Sequence, residues 1–505
     1  MNNALKLILL LCTMTSAVLG QESKNLSEFH LDKADLESHL RFLASDELQG
    51  RRTGTEENNI AARYVAEQFR AFGVVPIPGQ DSYFQTIPLF KIKPPFAAKM
   101  LFGGNEFEQG NGFLVLSGQA AEIDTTAVFA GHGWVDEESG YDDYKGLDVR
   151  GKVVFVLPGP PDAKGPMEIF RAMSKKRIFV AERGAAGLIE LFRLNFPWQF
   201  FKNFFNKERL EIAEEEDNAG ADSLTYGWLN EKSKDQIAEL MKGKKIGVKL
   251  SNGGTTKKRV PSNNVVGLIE GTDSNLKEEF LLLTAHYDHL GAGKESGSKF
   301  NSQDTIFNGA RDNGMGTVAL LAAAKSLAEN PPNRSVIVMA LTGEEVGLLG
   351  SSYFAEHPLI PLNKIIFNLN NDGAGYSDTT SVSVIGFGRT GTDEDLKKAA
   401  ATFGLTVFPN PAPEQNLFDR SDNVAFAKKG IPAIDFSPGI TGLDDKIMKY
   451  YHQVTDEANS IDYDYFLKFC QAYALTARLI ANKRGRPTWE VGDKYEEAGK
   501  NLYKN

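Results

Sequence analysis

The sequence predicts an α/β protein in which a central mixed sheet is flanked by helices and carries a smaller, mainly β insertion. Three observations support this. FLLLTAH, SVIVMALTGEE and KIIFNLNND are short apolar runs closed by polar residues, as expected of strands buried on both faces. Between the first two, residues 316–330 have the length and apolar spacing of a helix and stop at Pro331-Pro332. From Gly112 to about Leu250, Gly and Pro are frequent and short β-type runs such as AVFAGHGWV and KVVFVLPG alternate with turns. At 505 residues the chain can hold more than one domain and a large core.

Taken in order, residues 1–20 read as a leader. Lys6 precedes an apolar stretch from Leu7 to Leu11, and small residues lead to Gly20, a pattern that resembles a secretory signal peptide and predicts export to a periplasm or to the outside. Cys12 follows Leu11 rather than a small residue, so a lipid anchor is the weaker reading. Cleavage after Gly20 would leave Cys470 alone, without a disulfide partner.

Residues 21–111 form an N-terminal helical part. Two helices between Phe29 and Val74 flank the polar turn LQGRRTGTEEN, with Leu36, Leu40 and Leu43 on one face and Ile60, Tyr64 and Phe69 on another. Thr55 is the expected cap of the second helix. Residues 112–255 form the β insertion, and its aromatic cluster NFPWQFFKNFF, Asn195 to Phe205, is expected to pack against the α/β part. KKRV at 257–260 reads as a solvated junction. Residues 256–484 are the main α/β segment, ending in the helix YFLKFCQAYALTARLIA, and 485–505 read as a polar surface tail.

Composition excludes some functions. A net charge of −10 leaves no basic excess for phosphates, so nucleic acid is not an expected partner. Beyond the leader, nothing approaches the roughly 20 apolar residues of a membrane span.

The chemistry lies where the apolar runs end. His286 and Asp288 stand in TAHYDHLG, Asp312 in NGARDNGMG, Glu344 and Glu345 in LTGEEVGLLGS, Asp372 in NLNNDGAG and His452 in YYHQ. In open α/β sheets, ligands bind beyond the carboxyl ends of the strands. A dinuclear zinc site needs imidazoles, carboxylates and one carboxylate able to bridge ions roughly 3.5–4 Å apart. His286, Asp312, Glu345, Asp372 and His452 supply such a set without a thiolate, which suits a hydrolytic site open to water.

Glu344 cannot easily bind the same ion as its neighbour Glu345, which leaves it free as general base. Asp288, two residues beyond His286 on an extended segment, could orient that imidazole by accepting its other N–H. His30, His39, His132, His289 and His357 read as surface or capping features.

HYDHLG, DNGMG, TGEEVGLLGS and YYHQ, together with LASDELQGRRTGTE near the start, resemble the co-catalytic zinc aminopeptidases of metallopeptidase family twenty-eight. The resemblance implies the zinc-exopeptidase fold, with the insertion, through SGYDDYKGLDVRGKVVFVLPG, similar to a protease-associated domain. It also implies two Zn2+ per chain. His286 and Asp372 would hold one, Glu345 and His452 the other, with Asp312 bridging, and Glu344 would act as general base toward a metal-held hydroxide.

Tyr451 matches a Tyr that in some relatives helps stabilise the tetrahedral intermediate. The chain departs from the family at Arg311, where an Asp is usual, and at Asn423, where His is common. It also departs at NNDGAG, where a shift of two residues would put Asn370 rather than Asp372 at the metal.

The expected function is therefore an exported zinc exopeptidase, most simply an aminopeptidase acting on peptides. A dinuclear zinc carboxypeptidase or dipeptidase is the nearest rival, although only about eighty residues separate Asp372 from His452, too few for the lid domain such enzymes insert there. A glutaminyl cyclase-like acyltransferase and an inactive receptor-like scaffold are further alternatives. The metal motifs hold no obvious Arg pair to clamp a carboxylate; Arg311, the one cation adjoining a ligand, either turns toward the fold or, should the aminopeptidase expectation fail, is the first residue to test as a carboxylate anchor. The sequence does not specify an oligomeric state.

Overall fold

The computed structural model describes residues 31–163, 165–213, 219–230 and 234–504; the leader at 1–20 and His30 lie outside them. The chain divides into two compact units, one built from residues up to Ile87 together with those from Pro261 on, the other from Pro88–Val260.

The larger unit is organised by a sheet whose strands include β1 (Thr256–Ile269), β2 (Phe280–His286), β3 (Ser335–Leu341), β4 (Ile365–Asn370), β5 (Ser381–Ile385), β6 (Thr406–Pro409) and β7 (Ala433–Pro438). They lie in the order β1-β3-β2-β4-β7-β5-β6. β3, β2, β4 and β7 are mutually parallel, whereas β1 and β5 run antiparallel to their neighbours β3 and β7. Parallel central strands must be covered on both faces, which is why β2, β3 and β4 read as continuous apolar runs and are buried along almost their whole length.

Register sets the carboxyl ends level. His286 pairs with Leu341, and Thr284 pairs with Asn370. The polar residues that follow each apolar run therefore emerge at one edge of the sheet.

Helices α1 (Lys33–Leu43), α2 (Glu56–Ala71), α3 (Met315–Glu329) and α4 (Tyr463–Asn482) contribute to the main core with the sheet. α3 covers the stretch expected to be helical. Leu36, Leu40 and Leu43 are buried as expected, and Thr55 caps α2 by accepting from the Asn58 N–H. The buried face of α2 is Ala61, Ala62, Val65, Ala66 and Phe69; Ile60 is 44% exposed, contrary to its expected place in the core. Small alanines let α2 pack closely and shift the buried stripe by one position.

The end of the chain also differs from expectation. Residues 485–504 are not a loose surface tail: Trp489 is buried beside Phe418, Arg389 pairs with Asp493, and Tyr503 donates to the Ile365 carbonyl. α5 (Glu496–Leu502) completes the segment. Three large aromatics, Trp489, Tyr495 and Tyr503, anchor a stretch that is otherwise polar.

The inserted unit is a closed barrel. Its strands run Thr225–Asn230, Gly112–Ser117, Asn105–Gln109, Ala98–Phe102, Ile246–Asn252, Ala121–Phe129, Val153–Val156 and Gly187–Phe192 in order around the wall. The insertion thus begins before Gly112, because Met100 pairs with Leu250 and closes the barrel. The aromatic cluster forms a helix, Trp198–Phe205, whose Phe201 and Phe205 fill the insertion's own core, while Phe200 and Phe204 are exposed. The sequence reading assigned that packing to the α/β part; the buried half belongs to the barrel.

Candidate metal centre and active site

His286 ends β2, Glu344 and Glu345 follow β3, and Asp372 follows β4. Asp312 sits in the irregular segment Ala310–Gly314 that leads into α3, and His452 in a turn after the short helix Asp445–Met448. The structure brings these side chains together. His286 Nε2 lies 3.1 Å from Asp372 Oδ1 and 3.5 Å from Asp312 Oδ1. His452 Nε2 lies 3.2 Å from Asp312 Oδ2 and 3.4 Å from Glu345 Oε2. The two oxygens of Asp312 thus face two different imidazoles.

Asp372, rather than Asn370, faces the site. Asn370 is committed elsewhere, accepting from Thr284 Oγ1 and donating to Ser421 and Asp435. Ser421 in turn donates to Asp372 Oδ2 at 2.5 Å and fixes that carboxylate.

The environment favours positive charge. Burial disfavours the charged form of His286 and His452, yet the surrounding carboxylates win: His286 is raised well above its ordinary value and His452 to about 10. The neighbouring glutamates diverge. Burial raises Glu344 well above the usual carboxylate range. For Glu345 burial acts in the same direction, but His289 and His452 hold it below that range.

The donor set fits divalent cations. Donor atoms of His286, Asp312 and Asp372 lie within 4.8 Å of one another, as do those of His289, Asp312 and Glu345. Glu345 Oε1 and both ring nitrogens of His289 are buried without a hydrogen-bond partner. Such polar groups are costly unless something addresses them.

His289 is thus not a surface histidine but a buried one. It lies beside Glu345, and the only sequence signal for this was its position in the same strand-end segment as His286.

Asp288 is fully buried, and its carboxylate serves partners besides His286. Its carboxylate accepts from Thr53 Oγ1 at 2.7 Å and from the Glu344 N–H at 3.2 Å. The nearer acceptor for His286 Nδ1 is the Asp288 carbonyl, at 3.1 Å, with the carboxylate at 3.7 Å. Asp288 thus ties the strand end to the Glu344 backbone.

The turn LQGRRTG supplies a support that sequence reasoning left as a helix cap. Arg51, 1% exposed, donates to the carbonyls of Leu43, Tyr287, Asn308 and Gly309. It thereby links the two segments that carry His286 and Asp312. Gly50, at φ +69, permits the close approach, since a Cβ there would stand 2.4 Å from the Phe307 carbonyl oxygen. Asp456 accepts from the backbone N–H groups of Arg311 and Asp312 and holds the second segment from the other side.

Arg311 is not free to anchor a substrate. Its guanidinium donates to Ser460 and lies 3.6 Å from the Tyr450 ring centroid.

A cavity of about 120 Å³ opens on the centre, and its lining includes Asp312, Glu344, Glu345, Asp372, Tyr451 and His452 together with the apolar Ile385, Leu417, Ile440 and Leu443. Tyr451 stacks on His452 with ring centroids 4.0 Å apart, and burial raises its phenol above its ordinary value. Arg420, exposed, also borders the cavity.

Residues 264–477 match the family model of peptidase family M28. A vacuolar membrane protease of Saccharomyces cerevisiae is 39% identical over 114 residues, covering 23% of this chain and 10% of that protein. One from Lachancea thermotolerans is 27% identical over 198 residues, covering 37% and 18%. The yeast match thus spans about a tenth of that relative's length. Among solved structures, an aminopeptidase from Aneurinibacillus sp. strain AM-1 shares the fold at a TM-score of 0.52, with 18% identity, covering 92% of this chain and 97% of that one. Among the described residues no helix is long and apolar enough to cross a membrane. Residues 264–477, carried by the mixed α/β fold, are thus a segment of peptidase family M28.

Proposed function

We propose that the chain is a zinc aminopeptidase, with His286 and Asp372 holding one ion, Glu345 and His452 the other, and Asp312 shared. The observation that carries this is the pair of contacts made by Asp312, 3.5 Å to His286 on one oxygen and 3.2 Å to His452 on the other. When bound, two zinc ions would polarise the scissile carbonyl and lower the pKa of water toward neutrality.

The chain's own residues do the rest. Glu344, whose proton affinity is raised by burial, takes a proton from the attacking water and passes it to the leaving amine. Tyr451, lining the same cavity, donates its phenolic hydrogen bond to the oxygen that gains charge. Ile385, Leu417, Ile440 and Leu443 offer an apolar surface to the first side chain of the substrate. The acid-rich floor receives its free amine.

The barrel insertion, which resembles a protease-associated domain, carries no candidate catalytic group in this reading. The Lys6 and Leu7–Leu11 pattern supports export.

A carboxypeptidase reading has one observation in its favour, the exposed Arg420 at the cavity. Blocked peptides separate the two. Acetylating a peptide's amino end should abolish hydrolysis, while amidating its carboxyl end should leave the rate unchanged, as followed by mass spectrometry of the products. If amidation alone stops cleavage, the aminopeptidase reading fails and Arg420 becomes the carboxylate anchor.

A further inference from the structure

We infer that His289 is a third imidazole ligand of the metal centre, placed on the Glu345 side; the inference rests on the metallopeptidase reading above. The His289 side chain is fully buried, and its Nδ1 lies 2.7 Å from Glu345 Oε1. At that separation a hydrogen bond would be strong, yet neither atom has hydrogen-bond geometry toward any partner, and His289 Nε2 has none either.

A core histidine normally pairs at least one ring nitrogen, since leaving a buried polar group unpaired costs about 1–3 kcal/mol. A nitrogen and an oxygen that approach this closely while aimed off each other's axis are placed to address a common third point. Asp312 has a donor atom within the same 4.8 Å grouping.

The chain also makes room for this ring. His289 is held by a backbone bridge to Arg52. Gly309 lies beneath it at φ +60, where a Cβ would stand 2.5 Å from the ring carbons. His452 is placed differently: its side chain is 31% exposed, on a turn whose backbone is left-handed at φ +55. His289, Glu345 and Asp312 are thus the fixed donors on this side, and His452 joins them from the solvent.

Four protein donors would close that position, since closed zinc sites take four ligands whereas catalytic ones keep a place for water. Room for water and substrate then falls on the His286–Asp372 side.

The full chain loaded with Co2+ tests this by proton NMR, where each coordinated imidazole with a free ring N–H gives one exchangeable, hyperfine-shifted signal. Three such signals are expected, and His289→Gln should remove one while lowering affinity for the second ion at least tenfold in a chelator competition. Two signals in the wild-type protein, or a His289→Gln spectrum and affinity equal to wild type, would overturn the inference. The wild-type count decides the matter even if the variant does not fold. Binding of fewer than two Co2+ per chain would instead bring down the metallopeptidase reading itself.

Discussion

Glu344 and Glu345 are adjacent in sequence and opposite in electrostatic fate. Burial raises the first well above the carboxylate range, while His289 and His452 hold the second below it despite its burial. Environments that push neighbouring titratable groups apart mark an acid–base assignment. Glu344→Gln should therefore cut turnover by about 10²–10⁴-fold while zinc content stays at the wild-type level, measured as initial rates and elemental analysis on one preparation. Near-wild-type turnover would refute the role of Glu344. This pair was readable from sequence because two consecutive side chains leave the backbone in different directions. His289 was not: what identifies it is an approach to Glu345 across 56 positions of chain, and a lone histidine carries no such mark.

At the scale of elements, the sheet was legible and its supports were not. The apolar runs ending at His286, Leu341 and Asn370 announced parallel strands and placed polar residues at one edge, where register sets them level. Arg51 gave no such signal, because a charged residue in a polar turn ordinarily faces water. In the fold it is buried beneath four carbonyls from three segments. Arg51→Met should leave those carbonyls unpaired and destabilise the protein by on the order of 3 kcal/mol, in the chelated as well as the metal-loaded state. Denaturant titration measures this. A variant within about 0.5 kcal/mol of wild type would show that the turn does not support the site. The packing of Trp489 and Tyr503 was hidden for a related reason: a few large aromatics outweigh a polar composition.

For the whole molecule, sequence reading found an insertion but placed its start at the change in composition. The barrel begins earlier, because Ala98–Phe102 and Asn105–Gln109, which the composition grouped with the N-terminal helical part, pair into its wall. Long-range pairing of this kind leaves little trace in a local pattern. The central claim, that the larger unit is a two-metal peptidase built around Asp312, concerns the molecule as a whole. Its most direct test is to strip the protein with chelator and titrate zinc back while recording peptide hydrolysis. Two zinc ions should bind per chain, full activity should appear only when both are present, and Asp312→Ala should fail to retain either tightly. Full activity with a single bound ion, or an Asp312→Ala protein that holds two, would contradict it.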